Sequence, residues 1–148
     1  MQSPAIASAP APFAPHSLRL VQLRDFLGGQ SWFDSTQYRL NAPGGAPMHW
    51  SRLIELPLAL VVGLASPLIG SARAEMLAGT VVPLSCLGAI AFMASDVARK
   101  FGGRLAGIAA LLLVFLAPAV LIQTRPMRID HHGWQAVKAM LGLLTLFL

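Results

Sequence analysis

The chain has 148 residues, of which 55% are hydrophobic and only 11% are charged. In soluble domains roughly a quarter of all residues are charged. This composition therefore excludes an ordinary soluble domain and predicts a membrane protein. The formal charge of +5 is scattered over segment ends and forms no basic face, which argues against a nucleic-acid partner. A lone cysteine, Cys86, allows neither an internal disulfide nor a thiolate metal site.

The N-terminal third of the sequence predicts no membrane span. Residues 1–16 are rich in Ala and Pro and lack the basic and apolar regions of a secretory signal, so we expect a disordered leader. Residues 17–52 form a second region, which opens with an amphipathic helix from His16 to Leu27 that we expect at a membrane surface. The remainder of this region is a long loop rich in Asn, Pro and Gly, with aromatic residues of the interfacial kind.

Residues 53–148 are predicted to form a membrane helical region. Its second and third apolar segments each reach about 28 Å, close to the roughly 30 Å hydrocarbon core, so each can span. The first segment is interrupted by Glu55, Pro57 and Pro67 and reaches about 21 Å, so we expect it to be re-entrant or interfacial. The fourth reaches only about 20 Å, which favours a truncated bundle. The four segments are Leu53 to Gly70, Leu77 to Ser95, Leu105 to Gln123 and Ala136 to Leu148.

The most informative cluster of ionisable residues lies before the fourth segment and contains Arg128, Asp130, His131 and His132. Desolvating such charges costs several kcal/mol (roughly) unless they are paired, hydrated or bound to metal. Asp130 and His132 could both face one divalent cation. Alternatively, Asp130 caps a helix that begins near Gly133, and the histidines and arginine are hydrated side chains of an interfacial loop. The spacing leaves both interpretations open.

The long loop carries a second group of candidate residues, within positions 32–34 and 48–52. His49 and Arg52 beside aromatic rings could hold a phosphate at the membrane surface. An aromatic belt with a snorkelling arginine is the alternative. Because no Gly-x-Ser-x-Gly, His-Glu-x-x-His or Gly-rich phosphate motif occurs, the sequence indicates no catalytic residue.

The order of these motifs resembles the membrane half of GT-C glycosyltransferases, in particular the catalytic subunit of oligosaccharyltransferase and its bacterial relatives. The resemblance covers about Ser17 to Leu148. Residues 31–34 (Ser-Trp-Phe-Asp) and 49–53 (His-Trp-Ser-Arg-Leu) stand where the family has its first external loop motifs. Further on, the family has an Asp-x-Glu motif before a helix, and here Asp130 matches the aspartate while His132 replaces the glutamate.

The resemblance implies an all-α fold of polytopic membrane helices with a long external loop, a truncated GT-C-like bundle. It implies transfer from a sugar donor linked to a polyprenyl phosphate, with membrane lipid and this donor as partners. Asp130 and His132 would bind a divalent cation, Mn²⁺ or Mg²⁺, and substrate contacts would come from His49, Arg52 and Arg128. The implied location is a bacterial inner membrane, with the site facing the periplasm.

Two departures from the family limit what the chain is expected to do. Pro15 or His16 stands where the family has its first acidic motif, and the family's C-terminal acceptor domain has no counterpart. We therefore expect a fragment of a transferase, and the alternative is a non-catalytic small integral membrane protein or subunit. Both external loops share one face only if Leu53 to Gly70 does not cross the membrane. The basic residues within 99–104 suit a cytoplasmic loop.

Overall fold

The computed structural model describes residues 15–49 and 51–147. Over these residues the fold is all-α with almost no strand, as predicted. Most of the expected disordered leader lies outside the described residues, and so do Trp50 and Leu148. The last two leader positions, Pro15 and His16, belong to the first helix.

The described elements follow the order of the predicted segments. A short antiparallel hairpin, in which Thr36 pairs with Pro47, lies inside the long loop. A 3₁₀ turn (Arg52–Ile54) leads directly into the first apolar helix. The elements are α1 (Pro15–Leu27), β1 (Thr36–Gln37), β2 (Ala46–Pro47), α2 (Glu55–Ile69), α3 (Ser71–Val114), α4 (Pro118–Thr124) and α5 (His132–Thr145).

Helix α1 packs against the protein through a mixed face. Arg19, Gln22 and Leu23, which are three and four residues apart and so share one side of the helix, are all buried. Leu27, which is one turn beyond Leu23, is exposed. The predicted division into an apolar and a polar face is therefore wrong, because Arg19 is drawn inward by an ion pair with Glu55 of α2.

Helix α2 includes Glu55, Pro57 and Pro67, so the prediction that they interrupt it is wrong, but its 15 residues reach about 22 Å, close to the length predicted for this segment. Pro57 lies in the first turn, where backbone N–H groups have no helical partner in any case. Pro67 lies in the last turn, and the helix continues past it to Ile69. Together with the 3₁₀ turn, Arg52–Ile69 is long and apolar enough to cross a membrane, judged by length and composition.

Helix α3 is a hairpin of two arms, 71–101 and 104–114. Gly102 and Gly103 have non-helical backbone angles, and the φ of 69° at Gly103 is one that glycine adopts without strain. A Cβ on Gly107 would lie 3.0 Å from the carbonyl oxygen of Ser95 and would overlap the Arg99 side chain. In a straight helix residues 95 and 107 would be about 18 Å apart, so the chain reverses at the two glycines.

Helix α4 returns the chain to the first arm of α3, and α5 then runs along this arm. Near the end of α4, Gln123 and Thr124 lie beside Gly133 of α5, which in turn faces Cys86 of α3. In the loop between α4 and α5, the Met127 N–H donates to the Gly79 carbonyl at 2.7 Å. This loop, which carries Asp130, is therefore anchored on the first arm of α3.

The hydrophobic core joins α1, α2, the first arm of α3 and the loop before α5. Alanines of α3 face leucine and valine of α2, which lets the two helices approach closely. Large apolar side chains remain on the outside, and Leu68 of α2 is 84% exposed. The buried core residues are Leu23, Leu58, Val62, Ala74, Ala78, Val82 and Ile129.

Candidate functional site

Two loops that are far apart in the sequence meet beside the start of α2. Ile129, which precedes Asp130, packs in the same core as Leu58 in the first turns of α2. His131 interacts electrostatically with Asp130 and, most weakly of the groups that act on it, with His49, which indicates that His49 lies near the cluster. The structure thus brings His49 and the Asp130 cluster together.

Asp130 is held by both of its carboxylate oxygens. Arg128 Nε donates to Oδ2 at 2.6 Å, and the backbone N–H of His132 donates to Oδ1 at 3.1 Å. Because His132 is the first residue of α5, the second bond satisfies a free N–H at the helix start, which is the capping role left open by the sequence. Burial alone would raise the pKa of Asp130, but the bonds from His132 and the Arg128 charge hold that pKa below its ordinary value.

The same pair of side chains fits the coordination of one cation. His132 Nδ1 lies 3.1 Å from Asp130 Oδ1. Two ligands on adjacent vertices of an octahedral ion, each about 2.1 Å from the metal, are about 3 Å apart. Among residues 15–49 and 51–147, no group of three or more His, Cys, Asp or Glu side chains could hold a metal ion. A cation at this place would therefore need water or substrate oxygens for its other positions.

The two histidines of the cluster stack on each other. Their ring centroids are 4.3 Å apart with an interplanar angle of 26°. Burial, with a further contribution from the His132 charge, lowers the pKa of His131. His131 is therefore an uncharged hydrogen-bonding group at neutral pH, whereas the more exposed His132 is open to a ligand.

Arg52 is embedded in the protein, a position that the sequence did not predict. Its Nη1 lies 3.3 Å from Glu55 Oε2, its Nη2 donates to the Asp34 carbonyl, and its guanidinium lies 5.1 Å from the centroid of the Phe26 ring. Arg19 Nη1 lies 3.2 Å from the other carboxylate oxygen of Glu55. Two arginines therefore share one buried carboxylate, and this Arg-Glu-Arg triad carries a net charge of +1.

The other predicted substrate contacts occupy different positions. His49 is exposed and Arg128 is partly exposed, so solvent reaches both side chains. No family model, curated protein or solved structure matches this chain. The candidate site is therefore characterised by its geometry, which combines exposed basic groups, one carboxylate with a low pKa and a buried positive charge beneath them.

Three polar side chains, of which two are buried and one is half-buried, have positions that the sequence did not predict. Arg19 and Gln22 lie on one helical face, and this spacing within a leucine-rich helix is the signal that could have found them. Gln123 lines an enclosed cavity of about 10 Å³ beside Asp130, and its Oε1 has no hydrogen-bond partner within the described residues. A cavity of this volume is just large enough for one water molecule, which would satisfy that oxygen.

Proposed function

We propose that this chain contributes the donor site of a membrane glycosyltransferase of the GT-C type, which uses a sugar linked to a polyprenyl phosphate. The meeting of the His49 loop with the Asp130 cluster carries the proposal. A diphosphate has several anionic oxygens, and this neighbourhood offers several basic groups on separate segments. One isolated helix end or loop would not provide that arrangement.

The role proposed for each residue follows from how exposed its side chain is. His49 and Arg128 can donate hydrogen bonds to phosphate oxygens, because solvent reaches both side chains. The buried triad adds a fixed positive charge that requires no rearrangement when negative charge develops on the leaving group. Asp130 and His132 would hold Mn²⁺ or Mg²⁺, which supplies Lewis-acid stabilisation of the leaving phosphate when it is bound. We assign no catalytic residue.

The apolar exterior supports a membrane location. Residues 76–95 and 105–124 contain no Asp, Glu, Lys or Arg. Ser71–Val114 has the length and apolar composition that crossing a membrane requires, whereas α2 has to stay on the side of the candidate site for the two loops to share one face. We place the candidate site toward the periplasm of a bacterial inner membrane, because the turn at Gly102 and Gly103 is flanked by basic residues that favour the cytoplasm.

Cation binding in the presence of a diphosphate tests the proposal. Purified chain in detergent is titrated with Mn²⁺, followed by electron paramagnetic resonance, with and without farnesyl diphosphate as a soluble probe of the donor. We expect the diphosphate to tighten Mn²⁺ binding, and we expect Asp130→Asn to abolish this effect. Asp96→Asn, the same change near the far end of the first arm of α3, should leave it intact. Equal Mn²⁺ binding by the Asp130→Asn variant would refute the donor site.

A non-catalytic membrane protein is the second candidate. One observation favours it: Arg128 and His132 already satisfy the Asp130 carboxylate, so the loop is complete without a cation. Under this alternative neither Mn²⁺ nor farnesyl diphosphate binds. Asp130→Ala then lowers only the thermal stability, since its one effect is the loss of these two hydrogen bonds.

A further inference from the structure

A basic turn closes the fold at the end away from the candidate site. We call residues 99–104 the basic turn; it contains Arg99, Lys100 and Arg104 around the two glycines. Asp96 lies 3.3 Å from Arg99 and 3.9 Å from Lys100 and neutralises one of these charges. The turn together with Asp96 therefore has a net charge of +2.

Two helices fix how far the basic turn lies from the candidate site. Gly133 of α5 faces Cys86 of α3, and fifteen residues further along α3 Phe101 packs edge to face on Phe147 at 5.0 Å between centroids. Both helices advance about 22 Å between these contacts. The basic turn and the Asp130 loop are thus separated by most of the roughly 30 Å hydrocarbon thickness.

The three basic side chains of the turn differ in their contacts and in their exposure. Lys100 Nζ donates to the Phe147 carbonyl at 2.9 Å and so ties the turn to the end of α5. The Arg99 side chain is 59% exposed despite its contact with Asp96. Arg104 is exposed and has no ion pair within the part of the chain that the structure describes. Arg99 and Arg104 are therefore the groups available to a ligand.

Two exposed apolar side chains, Phe101 and Leu105, lie close to the two arginines in the sequence, and we call this pair the apolar collar. Phe101 is 71% exposed and Leu105 is 80% exposed, and they lie next to the basic side chains in the sequence. A soluble anion would use the guanidinium groups but would leave these apolar side chains in water. A phospholipid satisfies both, because its acyl chains cover the apolar collar while its phosphate accepts hydrogen bonds from guanidinium groups.

We propose that the basic turn binds the headgroup phosphates of anionic phospholipids, through Arg99 and Arg104, in the leaflet opposite the candidate site. This inference rests on the membrane location given under the proposed function and is independent of cation binding or sugar transfer. Charge complementarity selects an anionic over a zwitterionic lipid, since each basic residue at a membrane surface contributes to attraction by anionic lipids.

Lipid retention by the full chain tests this binding. Detergent-solubilised chain is titrated with phosphatidylglycerol or phosphatidylcholine, and bound lipid is counted by native mass spectrometry. We expect preferential retention of phosphatidylglycerol, and Arg104→Gln should weaken it about fivefold. The double variant Arg99→Gln with Arg104→Gln should weaken it about 25-fold. Arg73→Gln, an exposed arginine at the start of α3, is the matched control and should have little effect.

Each outcome decides the inference. Because the Arg99 stem packs over Gly107, Arg99→Lys is included and should restore retention if charge rather than packing is responsible. Equal retention of the two lipids, or native retention by the double variant, would overturn the inference. Displacement of phosphatidylglycerol by millimolar glycerol 3-phosphate would show a small-anion site and would also overturn it.

The two proposals fail separately. Loss of the Mn²⁺ response to farnesyl diphosphate, with phosphatidylglycerol retention intact, would remove the donor site and leave the lipid site. The reverse result would remove only the lipid site, because the basic turn lies about 22 Å along α3 and α5 from Asp130.

Discussion

Glu55→Gln is the change that most directly tests the buried Arg-Glu-Arg triad. The substitution keeps the shape of the side chain but removes the charge that pairs with Arg19 at 3.2 Å and with Arg52 at 3.3 Å. The side chains of these arginines are only 1% and 3% exposed, so water does not replace the lost carboxylate. Two positive charges would then face each other in the interior.

The expected destabilisation follows from this burial. Removing one partner of a buried ion pair costs about 3–5 kcal/mol, because the remaining charge is left without compensation. The glutamine oxygen still accepts one hydrogen bond, which favours the lower end, about 3 kcal/mol. For a chain of this length, each kcal/mol corresponds to about 3–4 °C in Tm. Glu55→Gln should therefore lower Tm by about 10 °C.

Thermal unfolding followed by circular dichroism in mild detergent measures this shift. Glu75→Gln is the matched control, because Glu75 makes a short ion pair of 2.6 Å with Arg24, whose side chain is 59% exposed. Exposed pairs contribute about 0–1 kcal/mol, so the control should lose at most about 4 °C. Equal shifts for the two variants would show that burial of the triad does not determine its contribution.

Two further predictions concern the hairpin of α3 and the placement of the loops. Gly107→Leu should separate the two arms and lower Tm, because even its Cβ would overlap Arg99, whereas Gly88→Leu, with no atom within 4 Å of its Cβ position, should change Tm little. In a Cys86→Ala background, cysteines at the exposed positions Ser31 and Arg125 should both react with an impermeant thiol reagent from outside intact cells; labelling from opposite sides would contradict the common face.

The helices were predictable wherever local chemistry decides them. The reversal of α3 follows from adjacent glycines between two apolar segments, and both features are visible in the sequence. The continuity of α2 was misjudged because the cost of proline depends on its place in a helix. Pro57 lies in the first turn, where backbone N–H groups have no acceptor within the helix, so it removes no hydrogen bond.

The local pattern places Arg19 and Gln22 on one face of α1 but does not tell whether that face is buried. Arg19 lies between leucines in a helix that resembles a surface helix, and its partner Glu55 is 36 residues away. Whether such an arginine faces solvent or the interior depends on this distant carboxylate. In turn, the sequence presents Glu55 only as an interruption of an apolar segment, because nothing within α2 reveals the two arginines that surround it.

The two interpretations of Asp130, helix cap and cation ligand, need not compete. A carboxylate oxygen has two lone pairs, so Oδ1 can accept the His132 N–H with one and face the His132 ring with the other. A cation between Oδ1 and Nδ1 would displace only the second interaction and leave the start of α5 capped. Asparagine caps helices about as well as aspartate, but its neutral oxygen is a weaker cation ligand. Asp130→Asn should therefore lose Mn²⁺ binding while retaining the cap, whereas Asp130→Ala should lose both.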